Sequence, residues 1–145
     1  MTDVATLLAG TKTVLLIDWP SRDVPDTLAR SGFTVVSNDG PDEDNAYEVE
    51  GGEVRLRDVR KLPKTADLVY THRPIDELPE IVDTANAVGA KAVWIQSGRD
   101  KTGAKDPRGC WLPQAESAKA RAIVEGAGLA YFEAPYIADA VRGRG

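Results

Sequence analysis

The chain has 145 residues, 42% hydrophobic and 28% charged, the size and composition of one folded domain rather than two units or a disordered segment. A formal net charge of −5 supplies no basic stripe, so neither nucleic acid nor an anionic membrane surface is expected as a partner. With one histidine and one cysteine, Cys110, the chain holds neither a multi-histidine metal centre nor an internal disulfide.

The opening MTDVATLLAG matches neither a secretory signal nor a membrane span, which makes the cytoplasm the expected compartment. Thr2 can cap a short helix over Asp3 to Ala9, ended by Gly10. Thr13-Val14-Leu15-Leu16-Ile17 is a continuous aliphatic run suited to a strand buried on both faces. Ser21 or Asp23 can cap a second helix, with Val24 and Leu28 on one face and Gly32 at its end. Phe33-Thr34-Val35-Val36 reads as the second strand, and the Asn, Asp, Gly and Pro of residues 37–44 read as a loop.

Tyr47 to Glu50 and Glu53 to Leu56 alternate apolar and charged residues around Gly51-Gly52, the pattern of an exposed hairpin set apart from the main sheet. Asp67-Leu68-Val69-Tyr70-Thr71 predicts a third core strand, followed by a helix from about Ile75 to Val88 that stops at Gly89. Ala92-Val93-Trp94-Ile95 predicts the fourth strand. A helix from about Gln114 to Glu125 and a fifth strand over Leu129-Ala130-Tyr131-Phe132 follow, and the tail from Arg142 to Gly145 reads as frayed. Alternating strands and helices imply a three-layer α/β domain spanning residues 1–145. Its five-stranded, mostly parallel sheet has right-handed crossovers, flanking helices and a small hairpin excursion.

In such a sheet a ligand lies beyond the carboxyl ends of the strands. The candidate site residues are therefore Asp18, Trp19, Pro20 and Ser21 after the first strand, and Asn38 and Asp39 after the second. His72 and Arg73 follow the third strand, and Gln96, Ser97 and Gly98 the fourth. The turn after the first strand has no glycine, so it matches neither a dinucleotide fingerprint nor a phosphate loop. Asp18 either caps the following turn or occupies the positive end of the next helix in place of an anion. Arg73 suits either an ion pair with Asp18 across the mouth of the cleft or a clamp on phosphate or carboxylate.

His72, lacking an adjacent base or nucleophile in sequence, reads as a structural hydrogen-bond donor. Ser97 has no nucleophile-elbow context and joins Gln96 as a hydrogen-bonding group for a ligand or as a loop cap. No nucleophile, base and oxyanion donor can be assembled from these strand-end residues, so the expectation is a binding protein rather than an enzyme.

The strings Leu78-Pro79-Glu80-Ile81-Val82-Asp83 and Gly89-Ala90-Lys91-Ala92-Val93-Trp94-Ile95-Gln96-Ser97-Gly98 resemble the small bacterial and archaeal CoA-binding proteins. These are similar in turn to the nucleotide-binding domain of succinyl-CoA synthetase. The closest match runs from Asp67 to Gly98, and a looser one from about residue 7 to Ile137. The resemblance implies a Rossmann-like fold and CoA, acyl-CoA or a related adenine nucleotide as the small-molecule ligand. Pro20-Ser21, Arg73, Gln96 and Gly98 match the family's ligand-surrounding positions, whereas Asp18 replaces a glycine and Asp39-Gly40 stands where Asn-Pro is expected. Ala134-Pro135-Tyr136 replaces the family's Asp-Arg-Cys, and residues 99–113 look inserted, with Lys101, Lys105 and Arg108 as a local basic cluster.

The expected function is non-catalytic CoA binding, weakened or altered by the changed first turn. The alternative is a protein-interaction module that has lost the ligand and uses Trp19, Trp111 or the hairpin, with a homodimer among its expected partners. A receiver-like signalling domain fits the first two strands, but the third strand ends in Tyr70-Thr71-His72 without a phospho-accepting aspartate.

Overall fold

The structure, a computed structural model, describes residues 4–17, 23–38, 44–50, 53–58, 65–72, 75–95, 114–133 and 137–143. In chain order it forms α1 (Val4–Ala9), β1 (Thr13–Ile17), α2 (Asp23–Arg30), β2 (Thr34–Asn38), β3 (Asp44–Glu50) and β4 (Glu53–Asp58). Then come β5 (Leu68–Thr71), a 3-10 turn (Ile75–Glu77), α3 (Leu78–Ala87), β6 (Ala92–Ile95), α4 (Gln114–Gly126), β7 (Ala130–Phe132) and α5 (Ile137–Gly143).

The sheet order is β4-β3-β2-β1-β5-β6-β7. The five strands expected from the aliphatic runs, β2-β1-β5-β6-β7, are parallel throughout and flanked by helices. The hairpin does not stand apart: β3 pairs antiparallel with β2, Val35 opposite Tyr47, and the sheet grows to seven strands. Ser37 and Asn38, which sequence assigns to the loop, complete β2, and Asp44 opens β3. Their pairing, Asn38 with Asp44, satisfies backbone groups that local loop propensity alone would leave open.

Because β-strand side chains alternate between faces, the aliphatic run of β1 feeds two cores. Val14 and Leu16 pack with α1, α2 and α5 through Leu8, Leu28 and Ile137. Leu15 packs on the opposite face with Ile81 and Val82 of α3 and Val124 of α4. Right-handed crossovers leaving the sheet centre in opposite directions put α2 on one face and α3 and α4 on the other. Trp94 on β6 is fully buried in the first core and stacks on Phe132 with ring centroids 5.6 Å apart. Its Nε1–H has no hydrogen-bond acceptor among the described residues. The α5 helix, absent from the sequence reading, closes this core with Ile137, Ala138 and Val141.

At the amino-terminal end of the sheet, helices α2, α3 and α4 each hand over to a strand through the same turn. Phe33 N–H donates to Leu28 C=O at 3.1 Å, Ala90 to Ala85 at 2.9 Å and Leu129 to Val124 at 3.2 Å. These are the six-to-one bonds of a glycine-capped helix end, and Gly89 takes a φ of +74° to make its bond. A Cβ there meets nothing within 4 Å, so Gly89→Ala costs only backbone strain, about 1 kcal/mol. Urea unfolding should show a lower midpoint at unchanged slope.

Asp67 holds the same end together. Its Oδ2 accepts from Lys12 N–H at 2.8 Å and Thr13 N–H at 3.0 Å, tying the start of β1 to the start of β5. Nearby, Lys91 N–H donates to Asp67 C=O at 3.0 Å, and Lys91 Nζ donates to Gly10 C=O at 2.7 Å. Burial pushes the Asp67 carboxyl up. The two backbone donors, followed by the charges of Lys91 and Lys12, outweigh it, and the group titrates below the ordinary aspartate range.

Candidate functional site

The strand order reverses direction at β1 and β5: connections run outward to β2 on one side and to β6 and β7 on the other. At such a switch point neighbouring crossovers diverge and leave a crevice beyond the carboxyl ends of the two strands. Ile17 and Thr71, the last residues of β1 and β5, lie in register. His72 N–H donates to Ile17 C=O at 3.3 Å, which carries the chain after β5 against the end of β1 and closes the crevice floor. Thr71 is buried at this floor and His72 is half-buried beside it.

Asp18, Trp19, Pro20 and Ser21 follow Ile17 directly and lie outside the described residues, as do Asp39, Arg73, Gln96, Ser97 and Gly98. The topology brings their attachment points together. Asn38 ends β2, Ile17 ends β1, Thr71 and His72 end β5, and Ile95 ends β6, on four adjacent parallel strands. At about 4.8 Å per strand spacing, these four ends span about 14 Å along one edge of the sheet. The proximity of β1 and β5 on which an Asp18–Arg73 pair depends is therefore present in the backbone.

The helix after β1 carries its own charges where a phosphate would seek the positive end of the helix dipole. Asp23 and Asp26 occupy the first turn of α2. Thr27 Oγ1 donates to Asp23 Oδ1 at 3.0 Å. Arg142 Nη1, from α5, donates to Asp23 Oδ1 at 3.0 Å and to Thr27 Oγ1 at 3.1 Å, while Nη2 donates to Asp139 Oδ1 at 2.7 Å. Hydrogen bonds to Asp23 and then Asp139 hold the Arg142 guanidinium above its usual range. Arg142, which sequence assigns to a frayed tail, is thus tied across two helices. A short helix docked by Ile137, Ala138 and Val141 is what positions it.

A second polar group sits at the carboxyl end of β7. Glu133 Oε2 accepts from Ser117 Oγ at 2.7 Å and from Tyr131 Oη at 3.0 Å. Burial, followed by the Glu133 charge and the hydrogen bond to it, raises the Tyr131 phenol above its ordinary range, so it stays protonated and donating. The Arg121 guanidinium lies 4.8 Å from the Tyr131 ring centroid. The sequence signal for this network is slight: Tyr131 and Glu133 share a strand face at i and i+2, and Ser117 joins them from α4.

Among the described residues no group of three or more His, Cys, Asp or Glu is placed to hold a metal ion. No described helix is long and apolar enough to cross a membrane. The sequence pattern of a protein family described as a CoA binding domain matches residues 15–137. No curated protein matches the chain.

Proposed function

Since the chain belongs to the CoA binding domain family, we propose that it is a non-catalytic binding protein for coenzyme A or an acyl-CoA, with a weakened or altered hold on the diphosphate. The observation that carries this reading is the switch point between β1 and β5. Ile17 and Thr71, which Asp18 to Ser21 and His72-Arg73 follow in sequence, are adjacent, in-register strand ends there. Arg73 supplies the cation for phosphate, since a guanidinium matches phosphate oxygens in a bidentate fork. Gln96, Ser97 and Gly98 supply hydrogen-bonding groups and close backbone approach after β6. Asn38 and Asp39, at and after the end of β2 in sequence, and Pro20-Ser21, which precede α2, complete the proposed set.

The altered hold follows from charge. Asp18 replaces the glycine of the first turn, and the first turn of α2 already bears Asp23, held by Thr27 and Arg142. A diphosphate gains little from a helix end that is neutralised from within. The same observation favours a second reading, in which ligand binding has been lost and the domain serves protein interaction. On either reading the protein works in the cytoplasm.

Thermal unfolding separates the two. A ligand that binds only the folded state stabilises it by RT ln(1 + [L]/Kd). Millimolar CoA should therefore raise the melting temperature, and Arg73→Ala should abolish most of the shift. Loss of a charge-assisted contact of about 1.5–3 kcal/mol lowers affinity by roughly 10- to 100-fold. If CoA, acetyl-CoA, ADP and NAD all leave the melting temperature unmoved, the binding reading fails and the interaction reading stands.

A further inference from the structure

Among the described residues β7 is the last strand of the sheet on its side, paired only with β6. An open groove of about 550 Å³ runs along it, lined by Gly128 to Phe132 and by Arg121 and Glu125 of α4. Ala130 N–H donates to Lys91 C=O, so the polar groups of Ala130 face inward to β6. Successive residues in a strand turn their N–H and C=O to opposite sides. Those of Tyr131 therefore face the groove, and no partner for them is present among the described residues. Within β7 this one outward residue, between Ala130 and Phe132, is a short edge with a single donor and a single acceptor.

Above that edge stands a charge pair. Arg121 Nη1 and Glu125 Oε1 are 2.9 Å apart, with side chains 55% and 52% exposed, and Arg121 lies over the Tyr131 ring. Both signs are presented one helical turn apart, in the lining of the groove along β7. This arrangement is self-complementary under a two-fold rotation, in which residue i meets j and j meets i.

We propose that the β7 edge is a homodimer interface: a second copy of this chain pairs its β7 antiparallel to the first, about a two-fold axis at Tyr131. Tyr131 N–H and C=O then exchange hydrogen bonds with their symmetry mates, forming the hydrogen-bonded pair of an antiparallel ladder. The axis is perpendicular to the sheet, so the two α4 helices meet on one face. Arg121 of each copy approaches Glu125 of the other, making a ring of four alternating charges. A heterologous peptide strand would meet only one outward residue on this edge, whereas a second copy adds the matching charges on both sides of the axis.

Light scattering coupled to size exclusion, over a range of concentrations, tests this directly. The full chain should elute at twice its 15.6 kDa mass. Glu125→Arg sets like charges across the axis and should raise the dimer dissociation constant by about tenfold or more. The double variant Arg121→Glu, Glu125→Arg restores the alternation and should restore the dimer. Both positions are solvent-exposed, so the fold is kept, as the melting temperature will show. Amide exchange at Tyr131 should be slow in the dimer and fast in Glu125→Arg. A chain monomeric at every concentration overturns the proposal, as does a dimer that Glu125→Arg leaves intact.

Discussion

Trp94→Ala should lower the unfolding free energy by about 3–5 kcal/mol, the range for truncating a large buried aromatic side chain. Trp94 is fully buried on strand β6, between Tyr70 of β5 and Phe132 of β7, and it stacks on Phe132. Alanine leaves a cavity that parallel strands, held by ladder bonds on both sides, cannot collapse to fill. Trp94→Phe should behave very differently. The indole Nε1–H has no acceptor among the described residues, and an unmade buried hydrogen bond costs about 1–3 kcal/mol. Phenylalanine removes that penalty along with some packing, and the two changes nearly cancel. Urea unfolding of both variants checks this. If Trp94→Phe were as damaging as Trp94→Ala, the indole N–H would have to be bonded, by a buried water for example.

Asp67→Ala should cost about 1–3 kcal/mol, because it strips a charged acceptor from two backbone donors at once. Thr13 N–H lies in the part-buried start of β1 and cannot be fully rehydrated, whereas Lys12 N–H is exposed and can be. Asp67→Asn keeps one acceptor oxygen and should cost less. The pH dependence has a definite sign. The folded-state pKa of Asp67 lies below its ordinary value of 3.8, so the folded protein binds this proton less readily than the unfolded chain. Its stabilisation is complete above the ordinary value and is lost as pH falls through the folded pKa. The stability gap between wild type and Asp67→Asn should therefore be constant near neutral pH and shrink below about pH 4. A gap that does not change with pH would show that the carboxylate charge contributes nothing.

The parallel core was legible because Val14 to Leu16, Leu68 to Thr71 and Ala92 to Ile95 are buried on both faces and so read as largely apolar runs. Helix ends at Gly32 and Gly89 were legible because a left-handed φ selects glycine. The attachment of the hairpin was not, since nothing in an alternating pattern names the neighbour, and Val35 meets Tyr47 only through the register of β2 with β3. Helix α5 escaped notice because seven residues form a marginal helix in isolation. Packing of Ile137 and Val141 into the first core stabilises it. For the site, sequence indicated which strand ends to search. The position of the crevice needed the strand order, and the Ser117–Glu133–Tyr131 network needed a fold that brings residues 16 positions apart into hydrogen-bond contact.

The β3–β4 hairpin also bears on what the protein builds with copies of itself. An open sheet has two edges, and a chain that used both would grow into a filament. Here β2, an apolar parallel strand, is removed from the edge by β3, and among the described residues the strand left outermost is β4. Four of its six residues, Glu53, Arg55, Arg57 and Asp58, are charged. Charge on an outer strand is one of the devices that discourage strand addition, because burying it against a neighbour requires desolvation. In the β7 dimer proposed above, sheet extension is thereby confined to the β7 side, and the assembly closes at two copies instead of propagating.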